Sequence, residues 1–121
     1  MFQAHLKKLV DSTDGAAAGL LMGFDGIAVD SYAPATSGTA LDINTIGMEY
    51  SFLLSQVKKA AESLEMGGVH EVSIRTERLI VVMRIINHEY FVALAIDRDG
   101  NFGKGRYLLR LIAPKLHAEL S

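Results

Sequence analysis

Two neighbouring apolar runs constrain the fold of this chain more than any other feature of its sequence. "LIVVMRII" spans Leu79–Ile86 and "YFVALAI" spans Tyr90–Ile96, and the polar tripeptide Asn87–Glu89 separates them as a turn. A half-exposed strand alternates apolar and polar residues, whereas a near-continuous apolar run indicates burial on both faces. We therefore predict two adjacent antiparallel strands in a sheet that is covered on both sides.

The rest of the chain supplies elements for that cover. Helices are predicted where apolar residues recur at helical spacing, and strands where short apolar runs end at turn signals. The predicted helices are Phe2–Val10, Ile43–Met66 and Asn101–Leu120, and the further strands are Ala16–Gly23, Ile27–Tyr32 and Val69–Arg75. The predicted fold class is α+β, in the order α-β-β-α-β-β-β-α, with a five-stranded antiparallel sheet between layers of helices.

The longest predicted helix has clear end signals. Asp42 is a suitable N-cap, and Gly67 with Gly68 should stop the helix after Met66. Its expected core stripe comprises Ile43, Ile46, Tyr50, Leu53, Leu54, Val57, Ala61 and Leu64.

The last predicted helix is capped by Asp99 or Asn101 and contains Pro114. Proline removes a backbone donor, so we expect a kink or an interruption there. The expected core stripe comprises Tyr107, Leu108, Leu111, Ile112 and Leu116.

Composition limits the functional classes. The chain has 121 residues, half of them hydrophobic, a net charge of −2 and no cysteine. This predicts a single domain over 1–121, with no nucleic-acid partner, no membrane insertion and a cytoplasmic location. The small, polar segment 33–40, "APATSGTA", is interpreted as a loop inside that domain.

Motifs for chemistry are weak. "DRDGNFGK" starts like a calcium loop, but Phe102 and Leu108 occupy the places that need glycine and glutamate. None of the four histidines is at metal-ligand spacing with another, and no nucleophile motif is present. We therefore expect no active site of its own, no metal and no cofactor.

Two surface patterns indicate a protein that works through contacts. On the long helix, Met48 and Phe52 lie opposite the core stripe with Ser55, Lys59 and Ser63, which indicates a second contact surface. Residues 69–75 alternate in polarity, as in an edge strand with one wet face or one that pairs with another chain.

In this order of elements, the chain resembles the roadblock/dynein light chain family, whose fold is similar to that of profilin. The matching segments cover most of the chain. They are "LLMGFDGIAVDSY" from Leu20, "GGVHEVSIRTERLIVVMRI" from Gly67, "YFVALAIDRDGNFGKGRYLLR" from Tyr90, and Pro114 near the end.

The resemblance implies a dimer, here expected to be a homodimer, in which one edge strand pairs across a two-fold axis and the long helices lie together. The residues assigned to that interface are Val69, Glu71, Val72, Ser73, Ile74 and Arg75.

The resemblance also implies binding to a Ras-like small GTPase in its GTP form. Short bacterial members of the MglB type dock on the GTPase and reposition its own catalytic residues, without an arginine finger. Arg106 and Arg110 are accordingly assigned structural contacts. The residues predicted to dock on the GTPase are Met48, Phe52, Ser55, Gln56, Lys59 and Ser63.

Two alternatives stay open. The chain could be a dimeric scaffold that recruits proteins without touching nucleotide. It could also be a small-molecule sensor, which needs a concave pocket. The apolar runs look committed to packing, which disfavours the sensor.

Overall fold

The computed structural model describes residues 2–34 and 42–120, and the loop predicted at 33–40 lies mostly outside this part. All eight predicted elements are present in the predicted order, so the fold class is confirmed. They are α1 (Phe2–Asp11), β1 (Ala16–Gly23), β2 (Ala28–Tyr32), α2 (Ile43–Ser63), β3 (Glu71–Arg75), β4 (Leu79–Ile85), β5 (Tyr90–Asp97) and α3 (Phe102–Leu120).

The five strands form one antiparallel sheet in the order β2-β1-β5-β4-β3. In the interior of the sheet, β1 pairs with β5, although the two strands are distant in sequence. Leu20 lies opposite Ala93. The two strands with near-continuous apolar runs, β4 and β5, are neighbours inside the sheet. The edge strands are β2 and β3, and only these have a free side in the described structure.

Side chains on the two faces of the sheet belong to separate cores. On one face, Leu21, Val82 and Leu94 pack with α1 and α3 around the fully buried Leu109. On the other face, β4 and β5 contribute the alternate residues to a cluster under α2. Burial of both faces explains the apolar runs, because successive apolar residues of those strands join one core and then the other.

The helix α2 lies close to the sheet at a glycine. A Cβ atom built on Gly47 would be 2.2 Å from Leu20 Cδ2 and 2.9 Å from Met22 Sδ. One turn later, the buried Ser51 donates its hydroxyl to the carbonyl of Met48 at 2.8 Å. These small residues let the first half of α2 sit directly on β1.

The starts of α2 and α3 agree with the predicted caps, whereas the end of α2 differs from the prediction. Asp42 accepts a hydrogen bond from the backbone N–H of Asn44 at 2.9 Å, and Asn101 accepts one from that of Lys104 at 3.0 Å. The predicted stop of α2 after Met66 is wrong. The helix ends at Ser63, because the backbone of Glu65 already turns left-handed, with φ at 56°.

The predicted burial of four residues is wrong. Leu53 and Leu64 in the long-helix stripe, and Tyr107 and Leu111 in the last helix, are 44, 70, 51 and 48% exposed. Helical spacing identifies a wide stripe, but only its centre touches the sheet.

Pro114 does not interrupt α3, because it lies on the exposed side of the helix, where the carbonyl of Arg110 can meet water.

Candidate protein-interaction surface

The outer side of α2 presents two large apolar side chains to solvent. Met48 is 59% exposed and Phe52 is 69% exposed, one helical turn apart. Gln56, Lys59 and Ser63 continue the same side and are exposed, while Ser55 is half-buried. The docking residues predicted from the sequence therefore share one face of α2, which we call the outer stripe (Met48, Phe52, Ser55, Gln56, Lys59 and Ser63).

A second apolar line runs along the flank of α2 that faces β4. It consists of Ile46, Tyr50, Leu53 and Val57, at spacings of four, three and four residues. None of the four is fully buried. This spacing averages about 3.7 residues, close to the 3.6 residues of a helical turn, so the four side chains lie on one side of α2. We call this line the α2 seam.

An open groove separates the seam from the sheet. Its volume is about 660 Å³. Ile46 and Tyr50 line one wall, Leu79 and Val81 of β4 form the floor, and the tip of the β3–β4 turn closes one end. The sequence-based view that the apolar runs are fully committed to packing is thus incomplete, because β4 also faces this concave surface.

The opposite flank of α2 is closed. Lys58 places its Nζ 3.6 Å from the ring centroid of Phe24, which itself packs against Phe91 at 5.4 Å between centroids. The hairpin of β1 and β2 therefore covers this side of the helix. Among the described residues, the larger opening beside α2 is on its flank next to β3 and β4.

The strand β3 offers backbone groups to a partner. His70 accepts from the N–H of Ile85 at 3.0 Å, and the N–H of Thr76 donates to Leu79 at 2.9 Å. In an antiparallel pair such positions alternate with positions whose backbone groups point away. The backbone groups of Glu71, Ser73 and Arg75 therefore point outward from the sheet edge.

The two faces of β3 contact different parts of the protein. Val72 and Ile74 are half-buried against the core under α2. Glu71 and Arg75 contact α3 on the other face, through Arg106 and Phe102 respectively. Ser73 lies between these two and is exposed. The predicted dimer residues thus form an edge that is supported from both faces, with Val69 half-buried just before the strand.

Within residues 2–34 and 42–120, no three histidine or acidic side chains come together as a metal site. Across the same ranges, no helix has the length and apolarity to span a membrane. The surface can bind another protein through apolar contacts and backbone hydrogen bonds.

Comparison with solved structures shows the family of this chain. The chain is 48% identical to MglC from Myxococcus xanthus over 98% of both chains, with a TM-score of 0.71. The chain belongs to the roadblock/LC7 family. Among this family's structures, a roadblock/LC7 domain from Streptomyces avermitilis has a TM-score of 0.83 at 14% identity and covers 95% of that chain and 97% of ours.

The gliding protein MglB from Thermus thermophilus shares the roadblock fold as well. It has a TM-score of 0.86 at 16% identity, over 98% of this chain and 89% of its own. At this identity the likeness concerns the fold alone, whereas the agreement with MglC extends to sequence. No family model and no curated protein matches the sequence.

Sequence reasoning missed the seam as a surface. It assigned Ile46, Tyr50, Leu53 and Val57 to the core, because apolar residues at helical spacing are normally buried. Their spacing carries no distinguishing signal, because it averages about 3.7 residues, as on any buried face of a helix.

Proposed function

We propose that this roadblock/LC7 protein is a homodimeric regulator that binds a Ras-like small GTPase in the cytoplasm. The GTPase supplies the catalytic groups, and the regulator positions them by docking on the GTP-bound form. The observation that carries the proposal is the outer stripe, where Met48 and Phe52 remain exposed on a helix of a protein related to MglC. Exposed apolar neighbours of this size are typical of interaction sites.

The outer stripe and the α2 seam suggest that α2 binds two different partners. We assign the α2 seam to the second copy, together with the outward backbone groups of β3, because both lie on the open flank of the helix. The outer stripe then remains for the GTPase. Phe52 and Leu53 are adjacent in sequence but point about 100° apart around the helix, so one belongs to each surface.

This division gives a paired experiment. Phe52→Asp should leave the dimer intact and weaken GTPase binding by roughly tenfold or more, because a buried charge replaces an aromatic contact. Leu53→Asp should instead dissociate the dimer. Light scattering on a size-exclusion column measures the dimer. Binding is measured by capture from a lysate of the source organism, with a non-hydrolysable GTP analogue or with GDP.

The outcomes separate the possibilities. A Ras-like GTPase that is enriched with the analogue by the native protein, and lost with Phe52→Asp or Lys59→Glu, supports the proposal. Unchanged capture by both variants would refute the outer stripe as the docking surface. If Phe52→Asp rather than Leu53→Asp dissociates the dimer, the assignment of the two lines is reversed.

A dimeric scaffold is the second candidate function. The α2 seam and the β3 edge favour it, because they can form a dimer without any nucleotide-binding partner. Capture of the same proteins with the GTP analogue and with GDP, and no Ras-like GTPase among them, would support the scaffold and exclude the regulator.

A further inference from the structure

A groove between β3, β4 and α3 concentrates positive charge on a protein that is acidic overall. Its volume is about 210 Å³. The chain has a net charge of −2, yet three arginines and a single acidic residue line this groove. We call it the arginine groove; its lining includes Glu71, Arg84, Phe102, Arg106, Tyr107 and Arg110.

One carboxylate binds two of the arginines. Glu71 pairs through Oε2 with the Nε of Arg106, and its Oε1 is 3.8 Å from Nη1 of Arg84. The side chain of Glu71 is only 16% exposed, so it sits at the base of the groove. One negative charge therefore faces two positive ones, and the base carries an excess of one.

The rim adds two arginines that lack a carboxylate. The guanidinium of Arg110 lies 5.9 Å from the ring centroid of Tyr107, and that of Arg75 lies 5.6 Å from that of Phe102. Neither has an acidic group within 4.0 Å among the residues that the structure describes. Contact with an aromatic face orients a guanidinium without neutralising its charge.

We propose that the arginine groove binds an acidic segment of a partner protein, rich in aspartate or glutamate. Guanidinium groups form paired hydrogen bonds with carboxylates, and the exposed ring of Tyr107 offers apolar contact to a peptide. Charges spread along α3, with Arg106 and Arg110 one turn apart, suit a chain of several carboxylates. A compact inorganic anion needs converging donors, and Glu71 already occupies that point.

This site is separate from the outer stripe, although Glu71 and Arg75 also belong to the β3 edge that is proposed to pair. The groove lies on the α3 face of the sheet, whereas the outer stripe lies on the α2 face. Strand pairing at β3 would use backbone groups in the plane of the sheet, and the side chains of the groove stand perpendicular to it. Loss of GTPase binding and loss of acidic-peptide binding can therefore be observed separately.

The test uses a fluorescein-labelled peptide of alternating glutamate and glycine, with a glutamine version as the neutral probe. Fluorescence anisotropy at about 50 mM salt measures binding to the full chain. We expect the glutamate peptide to bind, the glutamine peptide not to bind, and Arg110→Gln to weaken binding by about tenfold. Lys115→Gln is the matched control, because it removes the same charge from the opposite side of α3.

A second variant is predicted to act in the other direction. Glu71→Gln should strengthen glutamate-peptide binding several-fold, because it frees Arg84 and Arg106 from their competing carboxylate. A thermal unfolding curve checks that each variant is folded. Equal effects of Arg110→Gln and Lys115→Gln would overturn the site in favour of a non-specific charge effect. Binding to phosphatidylserine vesicles but not to the peptide would overturn it in favour of a membrane surface.

Discussion

The two faces of the sheet are covered to different extents. Two helices, α1 and α3, pack on one face, whereas α2 alone packs on the other. Among the described residues, five large exposed apolar side chains belong to α2 or the residues just after it, and two belong to α3. The five are Met48, Phe52, Leu53, Leu64 and Met66.

This difference shows how one sheet can serve two purposes. The face under α1 and α3 has a closed core around Leu109, which holds the strands in place. The face under α2 is closed on the hairpin side and open on the β3 side, where the groove of about 660 Å³ begins. Both faces thus have a buried core, but the second face also leaves large apolar side chains of α2 exposed.

The largest expected effect contrasts one leucine from each face. Leu109→Ala should reduce the free energy of unfolding by about 2–5 kcal/mol, because it leaves a cavity in the closed core. Leu53→Ala should cost about 1 kcal/mol or less, because its side chain is 44% exposed. Urea unfolding at a protein concentration that favours the monomer measures both. Similar losses for the two variants would contradict the difference between the faces.

The next effect tests the close approach of α2 to the sheet. Gly47→Ala should destabilise the protein by about 1–3 kcal/mol, since the added methyl group overlaps Leu20 and Met22. Gly103→Ala is the control, because its Cβ would have no atom nearer than Asn101 Oδ1 at 3.8 Å. Better helix propensity should make that variant about 0.5–1 kcal/mol more stable. Thermal and urea unfolding would reveal the opposite signs, and a neutral Gly47→Ala would show that α2 can move away.

The smallest expected effect on the folded monomer is at the β3 edge, and it sharpens the proposal that this edge pairs. Ser73→Pro removes a backbone donor that points away from β4, so the internal ladder should survive. The dimer dissociation constant should rise by about tenfold or more, because the intermolecular ladder loses that donor. Ser73→Ala keeps the donor and should leave the dimer unchanged. Sedimentation velocity over a dilution series compares the two, and equal dissociation constants would exclude pairing through β3.

Much of the fold was predictable because its signals are local. The apolar runs of β4 and β5, and the caps Asp42 and Asn101, are each read from a few neighbouring residues. The predicted outer face of α2 was also readable as helical periodicity, and Met48 and Phe52 are exposed on it. Their role in docking stays a prediction.

The features that could not be predicted depend on contacts between elements that are distant in sequence. Leu53 and Tyr107 have the spacing of core residues, but about half of each side chain is exposed. The arginine groove joins Glu71 to Arg106, which are 35 positions apart, and neither segment is unusual alone. The structural role that sequence analysis assigned to Arg106 agrees with its ion pair to Glu71, whereas the charge left on Arg110 appears only in three dimensions.

The outward backbone groups of β3 have a consequence for partner choice. Peptide groups are the same in every protein, so an edge strand can hold a second copy of this chain or another protein with a similar edge almost equally well. If the proposed dimer forms, discrimination between them must come from side chains beside the edge, chiefly those of the α2 seam. Variation at Tyr50 and Leu53 would let related proteins with the same sheet sort into separate pairs within one cell.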